Sequence, residues 1–304
     1  MRFLKVLILI IPYVTFAQES NFNTAVKLLN EQLEIYQTQS PFGSESYAVK
    51  DLKLSKIETI LYLNDEGLKV TDSIDMYNAI SITQSKIGRL LSVVMSQKEA
   101  TTKDLTTHFN DELYAIKSED NKLYHFSLDE KTGGSYRSRM SWMYYLKNNS
   151  YVEVDAMNSE TDTSIFFSDG YDEIKTFNTY NKTRYLLFGN VMRCNACFEE
   201  YVTLTHFEDG AFQLDFEYSV SSRIAEQHIF YDDISRSISV FYDTDDLTTV
   251  CYCSNEGTDN RDIETISSSD IDDTEQFTCS CLFEFNGRTY KLTKQCSEVI
   301  KTKD

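Results

Sequence analysis

All seven cysteines of this 304-residue chain lie in its C-terminal half. Close cysteine spacings constrain a fold strongly, because such residues form disulfides in an oxidising compartment or bind a metal ion in a reducing one. The compartment therefore decides what the pattern means. The cysteines occur as Cys194-x-x-Cys197, Cys251-x-Cys253, Cys279-x-Cys281 and a single Cys296.

The first 17 residues have the three parts of a secretory signal peptide. Arg2 and Lys5 are basic, Val6–Phe16 is apolar, and Thr15-Phe16-Ala17 places small residues at the expected cleavage positions. The apolar run is too short to span a bilayer, which takes about 20 residues. We therefore expect residues 1–17 to be removed on export. The mature chain is then periplasmic or secreted, soluble, and without an integral membrane segment.

The chain is strongly acidic, with 48 Asp and Glu residues against 29 Lys and Arg residues and a formal net charge of −19. Loss of Arg2 and Lys5 with the leader makes the charge −21 (−19 − 2). Such a surface repels phosphate backbones, so nucleic acid is excluded as a partner. A cationic partner, divalent ions and plain solubility stay open as explanations, and the partner is unknown.

The spacing of apolar residues changes near residue 104. Before it, apolar residues recur every three or four positions, which predicts one helix at 25–36 capped by Asn23 and another from the cap Asp72 to Met95. After it, aromatic and β-branched residues alternate with polar ones, as in strands. The prediction is an α+β fold: a helical region at 18–104, then a mainly antiparallel β-meander domain at 105–304.

Turn residues divide the predicted β domain into hairpins. Asp209-Gly210 and Asn286-Gly287 lie between alternating runs, which is a strong hairpin pattern. Residues 254–276 are polar and acidic, and we expect a mobile solvated loop there. The predicted strands are Leu113–Ile116, Lys122–Leu128, Tyr136–Leu146, Tyr151–Val154, Ser164–Phe167, Arg184–Phe188, Tyr201–His206, Phe212–Tyr218, Gln227–Tyr231, Ser237–Tyr242, Thr248–Cys253, Phe277–Phe285 and Thr289–Leu292.

The run Ser118–Ser135 contains the pattern S-x-D-x-K-L, then F-S-x-D, then T-G-G. It resembles one blade hairpin of quinoprotein-like or WD-repeat propellers, where a strand and an Asp-x-x-Thr-Gly turn recur. It is also similar to a motif of uncharacterised exported bacterial proteins, a likeness that implies no activity. A propeller needs at least four such copies and the sequence has one good copy. A propeller-like all-β domain is therefore the alternative fold.

Four cysteines share a possible antiparallel register. Residues two apart in a strand point to the same face, so Cys251 lies beside Cys253 and Cys279 beside Cys281. In an antiparallel pair of strands, the numbers of two opposed residues add up to a constant. Cys251 with Cys281 and Cys253 with Cys279 give the same sum, so a single register opposes both pairs. We therefore predict two cross-strand disulfides, 251–281 and 253–279. A tetrahedral zinc site of the same four thiolates is the alternative.

The other cysteines are less constrained. Cys194-Asn195-Ala196-Cys197 has the spacing of a thioredoxin motif, but that motif opens a helix and these residues lie in a predicted loop between strands. We expect Cys296 to pair with Cys194 or Cys197.

Catalytic and metal motifs are weak. No Gly-x-Ser-x-Gly, His-Glu-x-x-His or Walker-type loop occurs. The acidic segments 243–246 and 270–273 lack the glycine at the sixth position of a calcium loop. We expect His206 to be a hydrogen-bonded sheet histidine, and Trp142 with Tyr144 and Tyr145 to be core aromatics rather than a binding platform.

The prediction is an exported, non-catalytic binding or structural module stabilised by disulfides, without a cofactor. One alternative is a secreted hydrolase that uses a pair of carboxylates. With 48 acidic residues, the sequence does not single out that pair. The other alternative is a module stabilised by zinc or calcium.

Overall fold

The computed structural model of the chain describes residues 3–43, 46–63, 69, 72–154, 157–158, 163–180, 182–194, 197–222, 228–244 and 276–300. The chain divides into two compact units, Met1–Asp155 and Ala156–Asp304. Among the described residues, no helix is both long enough and apolar enough to cross a bilayer.

Unit 1 contains the helices and the first sheet. The elements are α1 (Phe3–Thr38), β1 (Tyr47–Ala48), α2 (Lys56–Leu63), β2 (Ser73–Ile74), α3 (Met76–Met95), β3 (Leu113–Lys117), β4 (Leu123–Asp129), β5 (Arg139–Lys147) and β6 (Ser150–Glu153). Strands β1 and β2 pair with each other, and β3 to β6 form a four-stranded antiparallel meander.

Neither of the two predicted helix caps is a cap in the structure. Asn23 lies inside α1, which is continuous from Phe3 to Thr38, so it caps no helix. The N-cap of α3 is Asp75 rather than Asp72, because the Asp75 side chain accepts a hydrogen bond from the Asn78 amide at 2.9 Å. At α2, the Ser55 hydroxyl and the Glu58 carboxylate each accept from the other residue's backbone amide, as in a capping box.

One apolar core joins α1 and α3 to the meander β3–β6. The helices contribute residues three or four apart, and alternate residues of β4 face them, since Tyr124, Phe126 and Leu128 belong to this core. The opposite face of β4 is also buried, and His125 is 0% exposed there. The first sheet therefore belongs to the helical unit, although the change from helix to strand falls near residue 104.

Unit 2 is made of strands. They are β7 (Met157–Asn158), β8 (Thr163–Ser164), β9 (Glu173–Thr179), β10 (Lys182–Cys194), β11 (Cys197–Glu208), β12 (Ala211–Ser222), β13 (Ile229–Asp232), β14 (Ser237–Thr244), β15 (Gln276–Phe285) and β16 (Tyr290–Ile300). Strands β9 to β12 form one antiparallel meander and β13 to β16 another. Side chains from both sheets form a single core, in which the rings of Phe216 and Phe283 meet edge to face at 5.4 Å.

Both predicted Asx-Gly hairpins are present. Asp209 and Gly210 have φ angles of 53° and 93° and connect β11 to β12, which is the conformation that a two-residue turn of this kind needs. Asn286 and Gly287 begin the turn from β15 to β16, and the Asn286 side chain accepts from the amides of Arg288 and Thr289.

The predicted α+β fold with an antiparallel meander is confirmed. The described residues contain no propeller: the first four-stranded sheet is covered by helices, and the other two share one core. The predicted strand Thr248–Cys253 and residues 254–275 lie outside the described residues, while Gln276 begins β15. Strand β9 was not predicted, because its buried Ile174 and Phe177 are three positions apart rather than two.

Candidate functional site

A groove of about 510 Å³ lies in unit 2 where β9, β10 and β11 approach β13. The lining combines acidic, aromatic and small residues with one lysine. This volume is within the range of small-molecule sites. The lining residues are Asp172, Glu173, Lys175, Phe188, Gly189, Asn190, Phe198, Glu200, Tyr201, Ile229 and Tyr231.

The carboxylate of Glu200 is held by neutral donors. Its Oε2 accepts from the backbone amides of His228 at 3.0 Å and Ile229 at 2.9 Å, so β11 is tied to the start of β13. Within the described part of the chain, no lysine, arginine or histidine side chain lies within ion-pair distance of Glu200. Two amide donors fix the position of this charge without neutralising it.

Asp172 is positioned in a similar way at the other side of the groove. Its Oδ2 accepts from Asn190 twice, from the backbone amide at 3.1 Å and from the side-chain Nδ2 at 2.7 Å. Asn190 in turn is opposite Glu200 in the β10–β11 ladder. The ladder therefore brings the two acidic residues toward one concave surface.

The charge of the groove lysine is balanced by acids. Lys175 Nζ lies 3.0 Å from Glu173 Oε1 and 3.4 Å from Asp233 Oδ2. The hydrogen bond that Lys175 donates to Glu173 raises the pKa of the lysine, so it stays charged. Glu173 and Asp233 therefore balance Lys175, and among the described lining residues three are acidic and one is basic.

Aromatic rings form much of the groove wall. Phe188 and Tyr231 meet with ring centroids 5.8 Å apart, and Tyr201 stacks on Phe167 at 4.1 Å. Tyr201 is buried and donates its hydroxyl to the Gly170 carbonyl at 2.6 Å. The half-buried rings of Phe188 and Tyr231 provide the apolar surface beside the carboxylates, and the buried Tyr201 supports the wall behind them.

Gly189 is required by the close approach of Tyr201. A Cβ at this position would lie 2.4 Å from Tyr201 Cε2 and 2.6 Å from the Gly170 carbonyl oxygen. Both distances are far below ordinary van der Waals contact, and one partner is backbone. The absence of a side chain at position 189 therefore lets the Tyr201 ring lie against β10.

Strand β15 places Cys279 and Cys281 together but in another register than the predicted one. The two are 0% and 2% exposed and lie in the core with Phe283, as alternation predicted. Their ladder partners, however, are Tyr242 and Val240 of β14, and β16 occupies the other edge of β15. The prediction that Cys251 and Cys253 are their ladder neighbours is therefore wrong.

The predicted disulfides 251–281 and 253–279 themselves stay predictions, because Cys251 and Cys253 lie outside the described residues. So does the zinc alternative at the same four thiolates. None of Cys197, Cys279 and Cys281 is free or without a partner. Among the described residues, no three metal-ligating side chains are grouped closely enough to hold a metal ion.

The two cysteines of the motif Cys194-x-x-Cys197 belong to two successive strands and not to the start of a helix. Cys194 ends β10, Cys197 begins β11, and the two are opposite each other in the ladder. Cys296 is opposite Ser280 in the second sheet, one position out of phase with Cys279 and Cys281. The expected link from Cys296 to Cys194 or Cys197 stays a prediction.

His206 is a hydrogen-bonded sheet histidine, as expected. Its Nδ1 lies 2.8 Å from Asp215 Oδ2 and its Nε2 lies 3.1 Å from Glu208 Oε2. Lys182 contacts the same Glu208 oxygen at 2.5 Å, and this hydrogen bond lowers the pKa of Glu208. The ring is therefore part of a charge network that connects neighbouring strands.

Polar residues of the 118–135 run stabilise the turns on both sides of β4. Ser118 Oγ accepts from the Leu123 amide at 2.9 Å, and Asp120 Oδ1 accepts from the Lys122 amide at 3.1 Å. Asp129 Oδ1 likewise accepts from the Lys131 amide at 2.7 Å, and Gly133 and Gly134 have positive φ. Ser118, Asp120 and Asp129 thus each have a local role in chain reversal.

The remaining predicted site residues are structural. Tyr144 is buried in the core of unit 1, and Trp142 packs against that core with its ring over Gly88. Asp243 and Thr244 belong to β14, and the rest of the two acidic segments lies outside the described residues.

Comparison with protein-family models, curated proteins and solved structures finds no match to this chain. The groove was not identified from sequence, because its residues come from four strands spread over 172–231. Its one local indication is Gly189, a glycine inside an otherwise regular strand pattern, which marks a close approach of other atoms.

Proposed function

We propose that this chain is an exported, non-catalytic binding protein and that the groove of unit 2 binds a small organic cation. The leader-like residues 1–17 support export. The observation that carries the binding proposal is the Glu200 carboxylate, fixed by two backbone amides beside aromatic rings in a concave surface of about 510 Å³.

The chemistry of the groove favours a cation with apolar substituents. Carboxylates attract a positive charge, and aromatic faces bind ammonium and guanidinium groups through their quadrupole. An anion would have to approach Asp172 and Glu200 on a chain whose net charge is −19. A neutral apolar ligand would have no favourable electrostatic interaction with the three groove carboxylates.

Disulfides belong to the same proposal. An export route leads to an oxidising compartment, where disulfides persist. Burial of Cys279 and Cys281 in the core supports a structural role for their sulfur atoms. Each such link typically stabilises a domain by about 2–4 kcal/mol.

Calorimetry with choline, agmatine and spermidine tests the binding proposal. Choline is compared with 3,3-dimethylbutan-1-ol, its uncharged isostere. We expect at least one of the three cations to bind at one site per chain, and the isostere to bind at least tenfold more weakly than choline if choline is that cation. Failure of all three cations to bind would overturn the proposal.

Glu200→Gln and Glu284→Gln form a matched pair, since each removes one negative charge. Glu284 is exposed on β15 and does not line the groove. We expect Glu200→Gln to weaken cation binding at least tenfold and Glu284→Gln to leave it unchanged. Equal losses would show that the cation responds only to net charge.

The hydrolase alternative can be tested at the same groove, because three carboxylates line it. If Glu200 acted with Asp172 or Glu173 on a glycosidic bond, the protein would release product from chromogenic glycosides and Glu200→Gln would abolish the release. Such a result would replace the binding proposal.

The intact mass of the exported protein tests whether residues 1–17 are removed on export. We expect Gln18 as the first residue.

A further inference from the structure

The β10–β11 hairpin brings two cysteines into direct opposition. Cys194 and Cys197 are ladder partners at its end, separated only by residues 195–196. Directly opposed residues of antiparallel strands have Cα atoms about 4.5–5.5 Å apart. Disulfides need Cα atoms about 4.4–6.8 Å apart. The register therefore meets the distance requirement without any movement of the strands.

We propose that Cys194 and Cys197 form a disulfide that closes this hairpin and fixes the adjacent end of the groove. Cys197 is half-buried, and it is not without a partner. The link forms by thiol–disulfide exchange with a disulfide oxidant. One cysteine thiolate displaces a thiol from the oxidant, and the second attacks the mixed disulfide. The protein thiols lose two electrons and two protons, and the oxidant leaves as two thiols.

The link is close to the groove in sequence and in register. Phe198 follows Cys197 directly, and Glu200 lies three residues after it; both line the groove. On the other strand, Asn190 opposes Glu200 and holds Asp172. A cross-link at the end of these two strands limits their separation, and so the positions of the groove residues just beyond it.

Among the described residues, the pairing of β10 with β11 becomes irregular toward this end of the hairpin. The ladder register shifts between Met192 and Cys194, so regular pairing is interrupted before the turn. The Arg193 guanidinium pairs with Glu199 across the strands, and the arginine side chain is 44% exposed. An exposed ion pair of this kind is worth little. Strand β12 also pairs with Phe198 and Glu200, so opening the disulfide should loosen mainly the pairing of these two residues with β10.

Peptide mapping of the unreduced, alkylated protein tests the link. We expect the peptide that contains both cysteines to carry no alkyl group and to be two hydrogens lighter than its reduced form. A peptide joined to the one with Cys296, or alkylation of Cys194 and Cys197 in the protein as isolated, would overturn the proposal.

The effect of the disulfide on cation binding rests on the proposed function. It is therefore measured separately from the peptide mapping. We expect the double variant Cys194→Ser/Cys197→Ser to bind the groove cation at least threefold more weakly, and Cys296→Ser to bind like the unmodified chain. Unchanged binding by the double variant would overturn the effect on the groove. If no cation binds the unmodified chain, the binding proposal fails, while the mapping still decides whether the disulfide exists.

Discussion

The Arg184 guanidinium donates to Asp215 Oδ2 over 2.5 Å, and the two side chains are 2% and 13% exposed. The same Asp215 oxygen lies 2.8 Å from His206 Nδ1, and the Asp215 carbonyl accepts from Thr289 Oγ1 at 2.6 Å. Arg184 belongs to β10 and Asp215 to β12, while Thr289 precedes β16 in the other sheet. The ion pair therefore spans β10 and β12 within one sheet, and the backbone carbonyl of Asp215 connects this position to the other sheet of unit 2.

Removal of one partner of this pair should destabilise the protein strongly. Asp215→Ala leaves the Arg184 charge buried without a carboxylate, and we expect the free energy of unfolding to fall by about 3–5 kcal/mol. Urea unfolding of the whole chain, followed by circular dichroism, measures the change.

A double variant provides the control for that prediction. Arg184→Met combined with Asp215→Leu removes both charges and leaves no buried charge of this pair without its partner, so we expect it to be more stable than Asp215→Ala. A loss below about 1 kcal/mol in Asp215→Ala would show that the pair is solvated in solution.

His125 should make stability depend on acid pH. Burial lowers the pKa of this histidine to about 3 from 6.5, and the nearby charge of Arg139 acts in the same direction. The unfolded chain therefore binds a proton below pH 6.5 that the folded chain does not. This contribution to stability is complete above pH 6.5 and falls by up to about 1.4 kcal/mol per pH unit as the pH drops toward 3.

Urea unfolding at several pH values between 4 and 6.5 measures this dependence. Carboxylates titrate in the same range, so the comparison is between the unmodified chain and His125→Gln, which cannot gain the proton. We expect the variant to have a smaller decrease in stability with falling pH. Identical slopes would mean that His125 is protonated in the folded state.

Gly189→Ala should destabilise unit 2 by about 1–3 kcal/mol, because the added methyl group overlaps the Tyr201 ring and the Gly170 carbonyl. Gly43→Ala is the control: its nearest contact would be 3.3 Å and its φ is not positive, so we expect little change. Thermal unfolding measures both variants. A Gly189→Ala protein as stable as Gly43→Ala would contradict the close approach of Tyr201.

Cys279 and Cys281 should be protected from thiol reagents in the native protein, because both are buried in the core. We expect alkylation only after unfolding with reductant, and peptide mapping to join them to Cys253 and Cys251. Metal analysis of the same sample separates the zinc alternative: one zinc ion per chain, released as these cysteines become reactive, would replace the disulfide prediction.

The hairpins were predictable because their information is local. Asp209-Gly210 and Asn286-Gly287 need backbone conformations that few other dipeptides adopt, and alternation on each side aligns the strands. Alternation also placed Cys279 and Cys281 on one buried face. It does not identify the neighbouring strand, and β14 with its buried Ile238 and Val240 takes the edge that the cysteine register assigned to Cys251 and Cys253.

The groove and the buried charge network depend on tertiary packing. Glu200 was one of 48 acidic residues, and its role appears only when the amides of His228 and Ile229 reach it. Arg184 and Asp215 are 31 positions apart and show no pattern in sequence. Sequence alone predicted His206 correctly, since apolar neighbours on its face indicated a position within the sheet.

Thr244 and Phe277 are ladder partners, so the chain leaves β14 and returns to β15 at nearly the same place. Paired strands lie only about 4.8 Å apart, a gap that a tight turn can close. A foreign peptide inserted between Cys253 and Gln276 could therefore be displayed there, with the ladder and both predicted disulfide partners preserved.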